Sequence, residues 1–379
     1  MVNNNLGMNG QWWGDLSGSS DGWIIVNIDD MITHYQGRVF IQYNNIPNLI
    51  STFCFATNDK KNRVKFNVSH FNIINKQNDS FLPSEDLLKK SFPNVKFPKP
   101  VDVSGLLNGD TLSLSLKTDI GDYSSSIPRS QALKDSNLVK MEHNWDSFKE
   151  HVCKFVGKIF LFRGQNKPYR LRTPFHRTGR ADVVRFWEED IKELQRHLSA
   201  QTTHVFDLNN PSEIGAFFNL VQHHGYPTPL LDWTFSPYVA AYFAYRGIDK
   251  ERLDRADNND YVRIISFDAV EWSKDFKPVT DCASYFPHLT VGTYLAIENE
   301  RMIPQQAAST MTNIDDIETF VLREESNRSK KYLQAIDLPV SERNKVLKEL
   351  RFMGITAGSM FPSIDGLCEG IKEKNFELA

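Results

Sequence analysis

The periodicity of apolar residues changes once along the chain, and this change constrains the fold more than any other feature. Up to about residue 120, apolar and β-branched residues come in short runs between turn-forming residues, which is typical of β-strands. Farther on, apolar residues recur every three or four positions, which is typical of amphipathic helices. The serine-rich stretch 119–136 between them shows no periodicity. We therefore predict a β-rich domain at 1–125, a linker at 126–140 and a mixed domain at 141–379.

Four runs in the first part have the composition of strands. The run at 111–117 alternates most clearly, with Leu112, Leu114 and Leu116 on one face. Many short strands with little helical signal favour an all-β sandwich or a small barrel. The predicted strands cover 23–29, 37–43, 63–71 and 111–117.

The second part mixes helix and strand signals. Ser236 and Pro237 suit the N-cap and first position of one helix, while Gly225 and Gly354 suit the ends of two others. Ser341 is the expected N-cap of the last helix. This pattern predicts an α+β domain. The predicted helices cover 144–156, 182–198, 211–225, 236–245 and 341–354, and the predicted strands cover 158–163 and 228–234.

Composition excludes several classes of protein. A net charge of −3 does not favour binding of polyanions by the molecule as a whole. The N-terminal residues lack the pattern of a secretory signal, and no apolar run has the length of a membrane span. The four cysteines are scattered without metal-ligand spacing, so we expect reduced thiols, no metal site and a cytoplasmic protein.

Arg163 is the first candidate for function, because it ends an apolar strand and is followed by Gly164 and Gln165. A guanidinium at a strand end suits a phosphate or pyrophosphate, and a buried arginine needs a partner. From 163 to 180 there are six Lys or Arg residues and no carboxylate. We expect most of those charges to lie in a solvated loop.

The second candidate is the unit 222–244, a helix end, a strand and a capped helix. It places His223 or His224, together with Asp232 and Thr234, around one strand-to-helix corner, where backbone amides attract anions. Adjacent histidines point in different directions, so we expect only one of the two to face a site. Each of these residues also has an ordinary structural explanation, since Asp232 can anchor the turn and aromatic residues can face the core.

These segments resemble the FRG domain, a family named for its Phe-Arg-Gly motif. The resemblance covers about the last 230 residues and keeps the order of the family's motifs. It does not extend to the β-rich part. The motifs are WDSF at 145–148, FRGQ at 162–165, LRTPFHR at 171–177, QHHGYPTPLLDWTFSPYVAAYFA at 222–244 and LRFMGITAGSMFPSIDGLCEGIK at 350–372.

The resemblance implies a split sheet with flanking helices, related to the ADP-ribosyltransferase fold, and NAD as substrate. In such folds an arginine on the first strand holds a phosphate or the nicotinamide ribose, and this role falls to Arg163. Thr234 and Ser236 match the corner that supports the ribose, while Tyr238 and Tyr242 match aromatic residues that flank nicotinamide. The resemblance further implies transfer of ADP-ribose to a protein or nucleic acid, as in bacterial toxins and anti-phage defence.

The sequence departs from this pattern where a transferase usually has an acidic residue. The matching segment carries Arg301, Gln305 and Gln306, and Ala307 stands where a glycine is expected. A neutral amide accepts hydrogen bonds but does not balance a developing cation. Glu298 or Glu300 can substitute from a neighbouring position. The expected catalytic residues are therefore Arg163, Ser236, Gln305 and Glu300, and the expected NAD-binding residues are Arg163, Gly164, Gln165, His224, Asp232, Thr234, Tyr238, Tyr242 and Arg301.

Three interpretations stay open at this point. The first is an NAD-dependent transferase or hydrolase whose β-rich part recognises the target or restrains the active site. The second is a non-catalytic module that binds a nucleotide or the end of a nucleic acid, and the basic run and the missing glutamate favour it. The third is an adaptor in which the mixed part is only a scaffold, which predicts that removing the charge of Arg163 changes nothing.

Overall fold

The computed structural model describes residues 7–69, 71–76, 80–82, 85–96, 100–257, 259–279, 281–292 and 294–377. Within these residues the chain forms two sheets, one in each part of the sequence. Across the described residues, no helix combines the length and apolar character needed to cross a bilayer. All four cysteines are free thiols.

The N-terminal sheet is a single curled, antiparallel sheet that forms a half-barrel. Its strands lie in the order β5-β8-β9-β10-β1-β2-β3-β4-β6-β7, and one short helix, α1 (Glu85–Ser91), follows β7. The prediction of a small barrel is therefore correct in part. The alternative prediction, a sandwich of two stacked sheets, is not what this part of the chain forms. The strands are β1 (Gly10–Gly18), β2 (Gly22–Asp30), β3 (Tyr35–Tyr43), β4 (Leu49–Ala56), β5 (Arg63–Val68), β6 (Asn72–Asn75), β7 (Ser80–Phe81), β8 (Val101–Asn108), β9 (Thr111–Thr118) and β10 (Gly121–Pro128).

The four predicted strands of this part are confirmed, as β2, β3, β5 and β9. The prediction that 119–136 lacks regular structure is wrong, because β10 occupies Gly121–Pro128. In β10 the side chains of Tyr123, Ser125 and Ile127 are buried and alternate with exposed residues. Because one of the buried residues is a serine, the sequence shows no alternation of apolar and polar residues. The division of the chain into domains at 126–140 stays a prediction.

The C-terminal sheet is mixed, with the strand order β11-β17-β14-β12-β13-β16-β15. Only β11 and β17 run parallel, and the other neighbours are antiparallel. The strands are β11 (Lys140–Glu142), β12 (Leu161–Gln165), β13 (Leu230–Thr234), β14 (Tyr261–Phe267), β15 (Leu289–Gly292), β16 (Ala307–Thr312) and β17 (Leu333–Pro339).

The helices pack around this sheet. The helix predicted at 182–198 forms as α4 and α5, joined without a break by a π-helical turn at Phe186–Ile191. The helices are α2 (Trp145–Val152), α3 (Pro174–Arg177), α4 (Val183–Arg185), α5 (Lys192–Leu198), α6 (Pro211–His223), α7 (Pro237–Tyr245), α8 (Lys250–Arg255), α9 (Ala269–Asp275), α10 (Ile317–Arg328), α11 (Arg343–Phe352), α12 (Ala357–Met360) and α13 (Ile364–Lys372).

Most of the residues predicted to begin or end a helix are confirmed in that role. Gly225 and Gly354 adopt φ of +88° and +81°, a left-handed conformation that suits glycine after a helix. Ser236 caps α7 with Pro237 in the first turn. The prediction for Ser341 is wrong, because a turn of 3-10 helix at Val340–Glu342 precedes α11 and leaves no side-chain cap.

The outer face of the half-barrel packs on the C-terminal part. Ile25 and Phe40 on that face pack with Val184 of α4, so β2 and β3 are buried on both faces. Asp29, only 2% exposed, accepts hydrogen bonds from the backbone amides of Ala181 and Asp182. Its carboxylate also pairs with Arg180 and Arg185, so a buried polar cluster joins the two parts.

Candidate functional site

A cleft of about 390 Å³ opens where β12 and β13 separate. These two strands share one registered pair, Phe162 opposite Thr234, whereas β12 pairs with β14 along its full length. The sheet is therefore split on one side of Phe162. The described residues that line the cleft are Phe162, Arg163, Gly164, Asn219, Gln222, His223, Asp232, Trp233, Thr234, Ala240, Phe243, Asn299, Arg301, Met302, Gln305, Ala307, Ser309 and Phe361.

Arg163 bridges the two strands at the split. One terminal nitrogen of its guanidinium donates to the main-chain oxygen of Asp232, 2.5 Å away. Its Nε is buried and has no hydrogen-bond partner among the described residues. Burial, followed by the charge of Arg177, lowers the pKa of Arg163 to about 10, so the side chain remains a cation at neutral pH. A half-buried cation with an unused donor beside a cleft suits an anionic ligand.

Asp232 is the only carboxylate among the described residues that line the cleft. Its Oδ1 accepts a hydrogen bond of 2.6 Å from Nε2 of Gln222, and the hydroxyl of Thr228 donates in turn to Oε1 of Gln222. Burial raises the pKa of Asp232, although Arg163, Gln222 and Arg177 act to lower it. The carboxylate is thus positioned by a relay of hydrogen bonds at the floor of the cleft.

Three of the six basic residues between 163 and 180 are neutralised by carboxylates from other parts of the chain. Arg170 pairs with Asp316, Arg172 with Asp315, and Arg180 with Asp29 and Asp190. The expectation of a solvated loop is wrong for these three arginines, because each is held in a buried or half-buried ion pair.

Arg163 and Arg177 differ from the three paired arginines of that run. Neither makes an ion pair within the part of the chain that the structure describes, and Asp232 is the carboxylate whose charge acts on both. Burial lowers the pKa of Arg177, as it does that of Arg163. Two guanidinium groups around one carboxylate leave an excess of positive charge at the cleft floor.

Thr234, Ser236 and Gln305 lie together but mainly hold the wall of the cleft. The hydroxyl of Thr234 donates to the main-chain oxygen of Gln305, 2.7 Å away, and accepts from the amide of Ser236. The hydroxyl of Ser236 accepts from the amide of Val239 as the helix cap, and Ser236 does not line the cleft. The side-chain amide of Gln305 donates to the main-chain oxygen of Met360.

Residues 158–252 match the sequence model of one protein family. That family is the FRG domain. The match includes β12, α6, β13 and α7, and therefore Arg163, Gln222, His223 and Asp232. No family matches the N-terminal region. Neither a curated protein nor a solved structure matches the chain.

The histidine that lines the cleft is His223, and not His224, which was the expected NAD-binding residue. His224 is exposed at the end of α6 and does not line the cleft. The ring Nδ1 of His223 lies 3.0 Å from Oδ1 of Asn299, which fixes Nδ1 as the donor. Burial, followed by the charge of Arg301, lowers the pKa of His223, so its ring is neutral near pH 7 with the Nε2 lone pair unprotonated.

The aromatic residue that α7 of the FRG domain supplies to the cleft is Phe243. Tyr242 is buried in the core on another face of the helix, and Tyr238 packs against Trp145. Phe243 packs against Phe361, whose ring also lies 5.1 Å from the guanidinium of Arg301. Gln165, next to the Phe-Arg-Gly motif, is buried and lies outside the cleft lining.

The two glutamates that follow the FRG domain lie away from the cleft. Glu298 accepts hydrogen bonds from the backbone amides of Thr203 and His204, so it anchors a distant loop. Glu300 is exposed and does not line the cleft. Arg301, Gln305 and Ala307 do line it, so this segment contributes an arginine and an amide rather than a carboxylate.

Sequence analysis missed two of the three polar residues that α6 contributes, Asn219 and Gln222. Asn219, Gln222 and His223 are spaced three and four positions apart and so lie on one face of a helix whose other residues are largely apolar. That spacing is visible in the sequence. Asn219 accepts a hydrogen bond from Ser309 of β16, which ties the helix to the far side of the cleft. Among the described residues, no group of three His, Cys, Asp or Glu side chains comes together as metal ligands.

Proposed function

We propose that this protein binds NAD in the cleft and transfers its ADP-ribosyl group to a macromolecule. The observation that carries the proposal is Arg163, a half-buried cation whose Nε is buried without a partner at the split of the sheet. It lies next to Asp232, the single carboxylate among the described residues of the cleft lining. The resemblance of the C-terminal part to FRG domains, and through them to the ADP-ribosyltransferase fold, supports NAD as the ligand.

The charges of the cleft suit the pyrophosphate of NAD. Arg163 lies on its floor and Arg301 at its side, and Arg177 adds a third positive charge nearby. A guanidinium binds phosphate oxygens through two parallel hydrogen bonds, which fixes the orientation of the ligand as well as its affinity. A volume of about 390 Å³ falls within the range of roughly 300–1,000 Å³ typical of small-molecule sites.

In this proposal Asp232 takes the acidic role that sequence analysis gave to Glu298 or Glu300. Cleavage breaks the bond between the ribose C1′ and the nicotinamide nitrogen, and nicotinamide leaves with the bonding electron pair. Positive charge then develops on the ribose, and an ionised carboxylate stabilises it best in a cleft with little water. The acceptor nucleophile forms the new bond to C1′ and loses a proton, which the neutral His223 in the lining can accept.

The N-terminal half-barrel is proposed to select the macromolecule that is modified. It is fixed to the FRG domain by the buried cluster around Asp29, so it presents its free surface in a constant orientation to the cleft. A transferase of this kind suits a cytoplasmic toxin or an anti-phage defence effector.

A second candidate function is binding of a nucleotide without turnover. Glu298 is occupied with residues 203–204, Glu300 is exposed, and the amide of Gln305 is bound to Met360. The residues in the expected acidic segment are therefore not aimed at a ligand. If Asp232 does not act in catalysis, the cleft retains the residues for binding alone.

The test is an incubation of purified protein with labelled NAD, with and without cell lysate. Transfer of label and release of nicotinamide are both followed. Arg163→Gln is compared with Arg252→Gln, which removes another half-buried arginine that is paired with Asp260 outside the cleft. Label transfer that only Arg163→Gln abolishes supports the transferase, and nicotinamide release without transfer identifies a hydrolase. Binding without either product selects the second function, and no binding of NAD contradicts NAD as the ligand of the cleft.

A further inference from the structure

A second pocket, of about 420 Å³, lies between the half-barrel and the C-terminal part, and it shares no lining residue with the cleft. Trp13 of β1 and Trp23 of β2 form one wall, and Phe320 and Arg323 of α10 form another. Lys76 and Phe286 also line it. Because strand side chains alternate, Trp12 enters the core of the half-barrel while Trp13 faces this pocket.

The aromatic wall carries a polar group without a partner. The rings of Trp13 and Trp23 meet edge to face with centroids 6.5 Å apart, and Phe320 lies 5.7 Å from Trp13. The indole Nε1 of Trp13 is buried and, in the part of the chain that the structure describes, has no hydrogen-bond partner. Buried tryptophan nitrogens usually have one, so this nitrogen is an unsatisfied donor in the aromatic wall.

The pocket also has unneutralised positive charge. The guanidinium of Arg323 lies 5.3 Å from the ring centroid of Trp13, and Nζ of Lys76 lies 5.8 Å from that of Phe286. Among the described residues, neither cation makes an ion pair.

The two carboxylates that line this pocket are already engaged. Asp275 binds Lys330 and the hydroxyl of Tyr332, and Glu324 binds Arg328. Burial lowers the pKa of Lys76, with Glu324 opposing, as expected for an ammonium without a close counter-ion.

We propose that this pocket binds a phosphorylated nucleoside. The base stacks on the aromatic wall and accepts a hydrogen bond from Nε1 of Trp13, while the phosphate lies between Arg323 and Lys76. Aromatic rings with adjacent cations are the means by which proteins hold single nucleotides, because every base offers a π-face and every nucleotide a phosphate. The ligand is either a free nucleotide or the 5′-phosphorylated end of a single-stranded nucleic acid, since both carry this chemistry.

The test measures binding of AMP and of a 5′-phosphorylated tetraadenylate by calorimetry. The variants are Arg323→Gln, Trp13→Phe and Arg163→Gln, with thermal unfolding as the check on folding. Arg323 is exposed, so its replacement leaves the core intact. We expect Arg323→Gln to weaken binding at least about tenfold and Trp13→Phe to weaken it several-fold, while Arg163→Gln leaves this binding event unchanged.

The two sources of the ligand give different results in the same experiment. Tighter binding of the tetranucleotide with a steep dependence on salt assigns a nucleic-acid end, and equal binding of both ligands assigns a free nucleotide. Absence of binding at millimolar concentration overturns the proposal, and so does binding that Arg163→Gln removes and Arg323→Gln does not. Neither outcome depends on NAD turnover in the cleft.

Discussion

The guanidinium of Arg163 binds the main-chain oxygen of Asp232 and not its carboxylate. The carboxylate instead accepts a hydrogen bond from Gln222. Cation and anion are therefore neighbours in the cleft without forming a closed ion pair, and both keep hydrogen-bonding capacity for a ligand. This arrangement arises because β12 and β13 pair only at Phe162 and Thr234 and then separate.

Replacing Gln222 by leucine is predicted to move the acidic limb of the pH–rate profile to higher pH. The amide of Gln222 stabilises the ionised form of Asp232, so its loss raises the pKa of that carboxyl further. Because the ionised form is required, nicotinamide release falls as the pH drops through this pKa, and the limb shifts to higher pH. Gln195→Leu, which removes a glutamine bound to the main chain of Phe206, is the control. An acidic limb that is the same in Gln222→Leu and wild type contradicts the role given to Asp232.

Gly164→Ala is predicted to destabilise the protein by at least about 2 kcal/mol. A Cβ at Gly164 would lie 1.8 Å from the main-chain oxygen of Ala240 and 2.8 Å from the nitrogen of Ala244, so β12 would have to move away from α7. Gly247→Ala is the matched control, since its nearest contact would be a side-chain atom of Asn166 at 3.5 Å. Equal free energies of unfolding for the two variants would show that α7 does not pack this closely on the strand.

Asp29→Ala is predicted to cost about 3 kcal/mol of stability, because two buried backbone amides lose their acceptor and Arg180 and Arg185 each lose one of their carboxylate partners. The adjacent Asp30 pairs with Lys60 at the surface, so Asp30→Ala is predicted to cost less than about 1 kcal/mol. Denaturant unfolding of both variants measures the difference. Similar decreases in the free energy of unfolding for the two variants would mean that the buried cluster does not hold the half-barrel to the FRG domain.

Stability is predicted to fall as the pH decreases from about 6.5 to about 3, in part through His176. Burial, followed by the charge of Arg172, lowers the pKa of this fully buried histidine to about 3. The unfolded chain takes up a proton near pH 6.5 while the folded chain does not, so acid favours unfolding throughout this interval. The limiting slope is about 1.4 kcal/mol per pH unit for each such group.

Burial also lowers the pKa of His288, to about 4, so two buried histidines contribute to this loss. Unfolding free energies measured from about pH 6.5 to about pH 4 should depend less steeply on pH in His176→Gln, and least in the double variant with His288→Gln. The same slope in wild type and His176→Gln would mean that His176 is protonated in the folded protein.

Local signals in the sequence predicted much of the fold. The cap at Ser236, the helix ends at Gly225 and Gly354 and the alternation at Leu112–Leu116 depend on neighbours along the chain, and the structure confirms them. The curl of the half-barrel was not predictable in detail, because it depends on which strands pair with each other, including strands far apart in the sequence. Serines in β10 gave no apolar alternation, although Ser125 is buried and binds the main chain of Asp15.

Placement of Arg163 beside a polar cleft was predictable, because an arginine in an apolar strand needs a polar environment. The partners of the other arginines were not, since Asp315 and Asp316 are more than 140 positions away from Arg172 and Arg170. The choice of Phe243 over Tyr238 and Tyr242 depends on the rotation of α7 about its axis, which tertiary packing decides.

Nicotinamide release from NAD by wild type and Asp232→Asn tests the central claim most directly. Asparagine keeps the size of the side chain and removes the negative charge, so NAD binding should persist while release falls by at least about a hundredfold. Both are measured on the same preparations, release by chromatography and binding by calorimetry. Release that continues at the wild-type rate in Asp232→Asn would contradict the assignment of Asp232 as the catalytic carboxylate of this cleft.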